Sequence, residues 1–267
     1  MSFEFEVGVA KVQGVEACKF LQAIVSADVA VLGVSSSQPS LLLTPEGKVV
    51  SAFWIYRSSE DTYLLAMETE ILYKTLQNLN RFLIRTEATI EDVSSKYIAS
   101  LTLPSELVPT SALVVEQNHL GADGFVLVLE ENLEAKTAEG KAKEIYQNLR
   151  ISFGVVSCSR DLVDEIIPQE AELDKNAVSF TKGCYLGQEL VCRIDSREAT
   201  TPFSFFTAKE ELPLPEGVVV TSKLQRAFGF DEKVPSGQFE WIIRVPRKLT
   251  AEIEELGAIR TSGYFSI

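Results

Sequence analysis

The segment SFTKGCYLGQELVCRI, residues 179–194, gathers the side chains of this 267-residue chain best suited to chemistry. Cys184 offers a soft nucleophile or metal ligand, with Lys182 as a cation two residues before it. Gly183 lets the chain turn tightly ahead of the thiol, and Gly187 lets another backbone or a ligand come close. Leu186, Leu190, Val191 and Ile194 recur at helical spacing, so a short helix is expected at 186–195 with Cys184 at or near its N-terminus. Free N–H groups and the helix dipole there favour an anion by about 0.3–1 kcal/mol. An exposed Lys182 would add about 0.2–1 kcal/mol. Together they favour the thiolate without ionising the thiol outright. The same spacing also fits a plain turn entering a helix, with Cys184 as a small filler. Against that, Lys182, Gln188 and Glu189 crowd polar side chains where a helix start needs a single cap. Cys192, two turns on, shares a face with Cys184 and reads as core, too distant for an easy disulfide.

The other cysteines read differently. Cys18 lies on an apolar helix face and Cys158 follows two valines; both are expected as small buried hydrophobes. No CxxC pair occurs, and His119 stands apart from every cysteine, so no metal site is expected. The net charge of -13 opposes nucleic-acid binding unless a local basic patch exists. The densest basic run, Arg244, Arg247 and Lys248, reads as a solvated loop. No apolar run approaches the roughly 20 residues needed to span a bilayer, and the acidic, alternating start resembles no targeting peptide. A cytoplasmic protein with no membrane contact and reduced thiols is expected.

Elements must position these residues. Residues 4–13 alternate as a strand, and 16–25 form an amphipathic helix closed by Ser26 to Asp28. Strands are expected at 40–43, 48–56 and 62–66, joined by the turns Pro45-Glu46-Gly47 and 58–61. A long helix carries Ile71, Leu72, Leu76, Leu79, Phe82 and Leu83 on one face. Strands at 87–92, 97–102, 112–117 and 124–130 follow, then a helix at 134–152 capped by Gly154. Residues 160–180 read as irregular. Beyond Thr200, short apolar runs between prolines and glycines mark a small β-rich unit, 201–267. Clustered strands interrupted by helices make this an α+β chain.

On these residues the chain resembles the YgfZ-type folate-binding proteins, of the superfamily of the glycine-cleavage T-protein (GcvT). The stretch IIPQEAELDKNAVSFTKGCYLGQELVCRI, 166–194, is similar to the family signature, and its KGCYxGQE core is specific. Similar pieces occur in the same order at 18–29, 41–57 and 76–94. The resemblance implies a cloverleaf of mixed α/β lobes around a central tetrahydrofolate pocket, ending in a small C-terminal β-barrel-like unit. The lobes would be 1–45 plus 134–200, and 46–133. It implies tetrahydrofolate, or a one-carbon derivative, as cofactor, and iron–sulfur enzymes or cluster carriers as partners. Lys182 and Cys184 carry over as the functional residues, with Tyr185, Gly187, Gln188 and Glu189 completing the signature. Glu170, in Pro-Gln-Glu-Ala, and Asp123 are further folate-pocket candidates.

Two departures matter. T-proteins place aspartates after the glycine of the first sheet segment, where this chain has Ser51 and Ala52. Their acidic GEDGFE-like turn is here Gly121-Ala122-Asp123-Gly124-Phe125-Val126, leaving Asp123 alone. The losses favour an accessory factor for iron–sulfur enzymes over a folate-dependent aminomethyl- or methyltransferase, which needs a pocket carboxylate to move protons. Asp28, Asp123 or Glu170 could supply one. A thiol-redox or scaffold protein is the third reading.

Overall fold

The computed structural model describes residues 3–102, 112–117, 120, 126–131, 140–163, 165–197, 199–209, 212–224 and 239–267. The turn expected to carry Asp123 lies outside the described residues.

Two antiparallel sheets build most of the molecule. The first holds β2 (Gly8–Gln13), β3 (Ser37–Leu43), β4 (Val49–Ser59), β5 (Thr62–Met67) and β6 (Thr89–Asp92), in the order β3-β4-β5-β2-β6. Strand β4 is buried without a break from Val49 to Tyr56. Its run VVSAFWIY does not alternate because both faces are covered. Helix α2 (Thr69–Phe82) packs on β2 and β4, while β8 (Leu113–Gln117) meets β3 and β4. The second sheet is β1 (Phe3–Phe5), β7 (Tyr97–Thr102), β9 (Val126–Glu131) and β8, in the order β1-β7-β9-β8. Helix α3 (Gly140–Ser152) lies against β1, where Phe5 stacks on Tyr146 at 4.3 Å between ring centroids.

The strand expected at 4–13 is two strands in different sheets. Phe3–Phe5 pairs with β7 and Gly8–Gln13 with β5. Alternation records which side chains are buried, not which strand supplies the hydrogen bonds, so the pattern runs through the crossing. Helix α1 (Ala17–Ile24) falls where expected. Gly154 ends α3 in the left-handed conformation, with its amide on the Ile151 carbonyl at 3.0 Å and that of Val155 on Arg150 at 2.8 Å.

The C-terminal unit is a third antiparallel sheet of β10 (Phe203–Ala208), β11 (Val219–Lys223), β12 (Trp241–Pro246) and β13 (Ile259–Arg260), in the order β11-β12-β10-β13. Helix α6 (Thr250–Glu255) packs on β12. Among the described residues this sheet is open and does not close into a barrel. Its two faces go to different cores. Phe205 and Ile242 join the main core of the molecule, while Phe206 and Ile243, one residue on, join a smaller cluster around Ile253. Arg244 is therefore a strand residue, not part of a solvated loop: its guanidinium lies half-buried, 3.9 Å from the Phe203 ring centroid. Arg247 and Lys248 are exposed as expected.

Candidate functional site

The KGCYLGQE segment is held from two sides. The loop after α1 is the first. Lys182 Nζ donates to the carbonyls of Val25 at 2.7 Å and Ala27 at 2.8 Å. The Ser179 amide donates to the Ser26 carbonyl at 2.9 Å. Buried Ser26 Oγ donates to the Ala177 carbonyl and accepts the Leu41 amide, at 2.5 and 2.8 Å. The second side is the β3–β4 turn. Gly187 has φ +79°, and a Cβ there would stand 2.4 Å from the Thr44 carbonyl oxygen and 3.2 Å from Gly47 Cα. Gly47, φ +78°, would put its own Cβ 3.0 Å from the Gly187 carbonyl oxygen. Two glycines facing each other let the backbones touch.

The close approach expected of Gly187 is present. The special turn expected at Gly183 is not: Gly183 has no left-handed φ, and a Cβ there would meet nothing within 4 Å. Helix α5 spans Gln188–Ser196 with Gly187 as its N-cap residue. Cys184 thus stands ahead of the cap, outside the helix end. Apolar Leu186 continues the helical spacing, but the reversed backbone at Gly187 starts the helix two residues later. Lys182 is not exposed either. It is 8% accessible, and burial pulls its amine down to about 8, with Asp28 opposing the shift. Its ammonium group also lies 5.0 Å from the Tyr185 ring centroid. Both supports expected for a Cys184 thiolate are therefore used elsewhere in the fold.

What the segment presents is a shallow groove of about 630 Å³ along α5. Cys184, Tyr185, Gln188, Glu189, Cys192 and Arg193 line it. Cys184 is exposed, Cys192 and Cys18 are half-buried, and Cys158 is buried. Cys192 is thus a wall of the same groove and not core. Glu189 pairs with Arg193 one turn along α5. Tyr185 is buried, its hydroxyl has no hydrogen-bond partner among the described residues, and burial pushes its ionisation upward. Among the described residues no cluster of His, Cys, Asp or Glu is fit to hold a metal ion. No described helix is long and apolar enough to cross a membrane.

Glu170 does not line this groove. It sits 2% exposed on the 3-10 turn Pro168–Ala171, with Oε2 unpartnered among the described residues. Burial raises its ionisation, and the charges of Arg244 and Lys48 oppose the rise. Its neighbour Gln169 donates to the Val191 carbonyl of α5 at 3.0 Å, which ties the turn to the motif helix. Sequence reasoning missed Ser26, Gly47 and Arg244. The glycine of Pro45-Glu46-Gly47 was visible as a turn residue, but nothing local marked what it faces.

A model of the GCVT N-terminal domain matches residues 5–103. Among curated relatives, the iron-sulfur cluster assembly factor IBA57 homolog of Mycosarcoma maydis is 26% identical over 228 residues, covering 75% of this chain and 56% of that protein. Mouse iron-sulfur cluster assembly factor IBA57 is 26% identical, covering 79% and 68%. The tRNA-modifying protein YgfZ of Colwellia psychrerythraea is 28% identical, covering 71% and 65%. The chain thus spans between 56% and 68% of these relatives' lengths. The crystal structure of the glycine cleavage system aminomethyltransferase T from Bartonella henselae superposes with a TM-score of 0.63 at 16% identity, over 92% of this chain and 78% of that one. That likeness establishes the fold. The chain thus carries a GCVT N-terminal domain match over residues 5–103, has the fold of the aminomethyltransferase, and is similar along most of its length to proteins named YgfZ and IBA57.

Proposed function

We propose that this protein is a reduced-folate-binding accessory factor for the assembly or repair of iron–sulfur enzymes, and that Cys184 meets the metal–sulfur partner as a thiol. The carrying observation is Cys184 itself, the exposed one of the four cysteines, on a backbone clamped by Gly187 and Lys182. A fixed, accessible thiol can bind iron, which a buried one cannot. Relatives named as iron–sulfur assembly factors support that setting. The tRNA-modifying name of other relatives is compatible with a client enzyme acting on RNA, because a net charge of -13 disfavours direct RNA contact.

The folate half of the reading rests on unpartnered acceptors. Among the described residues, buried Glu170 Oε2 and Gln169 Oε1 have no donor. The ring N–H groups of a tetrahydropterin are donors of the kind such atoms require. Glu170 would hold the ring, with Tyr185, Gly187, Gln188, Glu189 and Asp123 as the further candidates. When bound, tetrahydrofolate or its derivative supplies a one-carbon carrier. Aminomethyl transfer, a second reading favoured by the fold likeness, lacks a carboxylate on β4, where Ser51 and Ala52 are buried.

In a strain lacking the protein, Cys184→Ala should leave iron–sulfur enzyme activity at the level of the deletion. Full rescue would remove the thiol from the mechanism. Reduced folate should bind the purified protein with micromolar affinity and lose it in Glu170→Ala; no saturable heat up to millimolar folate would remove the folate half.

A further inference from the structure

The Cys184 groove holds a second thiol. Cys192 lines it beside Cys184, although the two stand 8 positions apart in the chain. The turn ahead of α5 brings them together. The Gln188 amide donates to the Tyr185 carbonyl at 3.3 Å, and Gly187, at φ 79° and ψ 2°, has the conformation of the third position of a type II turn. Such a turn reverses the chain, so Cys184, just ahead of it, lies back along the start of the helix. Cys192 stands one helical turn beyond Gln188 and on the same face, since positions four apart are neighbours.

Core packing does not account for Cys192. The buried residue of α5 is Val191, whose carbonyl takes the Gln169 side-chain amide. Cys18 is half-buried like Cys192, yet Cys18 packs against the main core and Cys192 is not among the residues that do so. Its neighbour is a polar one. Tyr185, 6% exposed, lines the same groove, and charge on Cys192 adds to burial in keeping its phenol protonated. The Tyr185 hydroxyl has no hydrogen-bond partner among the described residues. A protonated phenol near a sulfur is a donor that favours the thiolate, the form that ligates metal. Such donors around a ligating group orient it and tune its affinity.

We infer that Cys184 and Cys192 form a two-thiol half-site for an iron–sulfur cluster, an assignment that rests on the reading of Cys184 as the thiol meeting a metal–sulfur partner and adds its second ligand. Clusters are held by about four thiolates. Among the described residues no group of three or more ligating side chains gathers, so this chain supplies two ligands and a cluster carrier the others. A shallow groove leaves the outer face of the cluster open to the sulfurs of that carrier. Each thiol gives its proton to solvent as it takes iron, and nothing is oxidised or reduced. Thiolate is the soft ligand that iron in such clusters selects.

The test is anaerobic titration of the reduced full chain with cadmium ion, a thiophilic probe whose thiolate bonds absorb in the ultraviolet by charge transfer. The wild type should bind a single ion and release about two protons. Cys192→Ala and Cys192→Ser should halve the absorbance, release about one proton and bind about tenfold more weakly, because the second thiol acts at high effective concentration. Cys184→Ala should do the same, and Cys18→Ala should change nothing. In the deletion strain, Cys192→Ala should restore iron–sulfur enzyme activity only in part. Wild-type absorbance and affinity in both Cys192 variants, folded by circular dichroism, would overturn the half-site and leave the role of Cys184 standing. Full rescue of the strain by Cys192→Ala would overturn it too, as an adventitious cadmium site. Full rescue by Cys184→Ala, with both thiols still needed for cadmium, would instead remove the proposed function and keep the two-thiol site.

Discussion

The protonated amine of Lys182 donates to two main-chain carbonyls inside the protein and has lost most of its water. Lys182→Met removes both bonds and leaves the Val25 and Ala27 oxygens unpaired, at a cost of about 2–4 kcal/mol in urea denaturation. The pH dependence has a definite sign. With the folded amine near 8 and the unfolded one near 10.5, the unfolded chain holds more protons between those values. Wild-type stability should rise relative to Lys182→Met from pH 8 towards 10. Glu170 behaves in the opposite sense. Its carboxyl is raised by burial, so the folded state holds the extra proton. Stability is lost as pH climbs from the ordinary carboxylate range through the folded value. Glu170→Gln should therefore be at least as stable as the wild type at pH 7, by about 1 kcal/mol, and lose that advantage in acid. A variant that gains stability and loses folate marks Glu170 as retained for a ligand.

At the scale of elements, the motif works by pressing α5 and its leading turn onto the β3–β4 hairpin. Gly187→Ala meets both a left-handed φ and a carbonyl oxygen 2.4 Å away. It should cost about 3 kcal/mol or more. Gly183→Ala, with open space around it, should stay within about 0.5 kcal/mol. Denaturant midpoints of the two variants would decide whether the first glycine of the motif is needed for folding at all. The contrast also shows what the sequence made legible. The hydrophobic spacing located α1, α2, α5 and most strands, because one buried face leaves a periodic trace. It could not say which glycine bends the backbone, since that depends on Gly47, 140 positions away. Nor could it show that Lys182 is buried, since its acceptors belong to residues 25 and 27 and are backbone atoms, which carry no residue identity. Cys184 and its neighbours were legible as a unit because one short segment carries them all.

At the scale of the molecule, the C-terminal sheet is joined to the rest partly by charge. Arg150 on α3, Asp161 in the following turn and Ser222 on β11 form a closed network that is almost entirely inaccessible. The participants are 11 and 61 positions apart along the chain, so no local pattern announces them. Asp161→Ala strands a buried guanidinium and should cost about 3–5 kcal/mol, more than the pair itself contributes. If the network is what docks the third sheet, amide exchange in β11 and β12 should accelerate more than in β4 or β5. A uniform acceleration would mean that the sheet is held by its shared core, through Phe205, Ile242 and Phe265, and that the ion pair only fixes its orientation. Replacing both partners by apolar residues, as in Arg150→Met with Asp161→Leu, separates the two accounts. Stability should return with the charge removed.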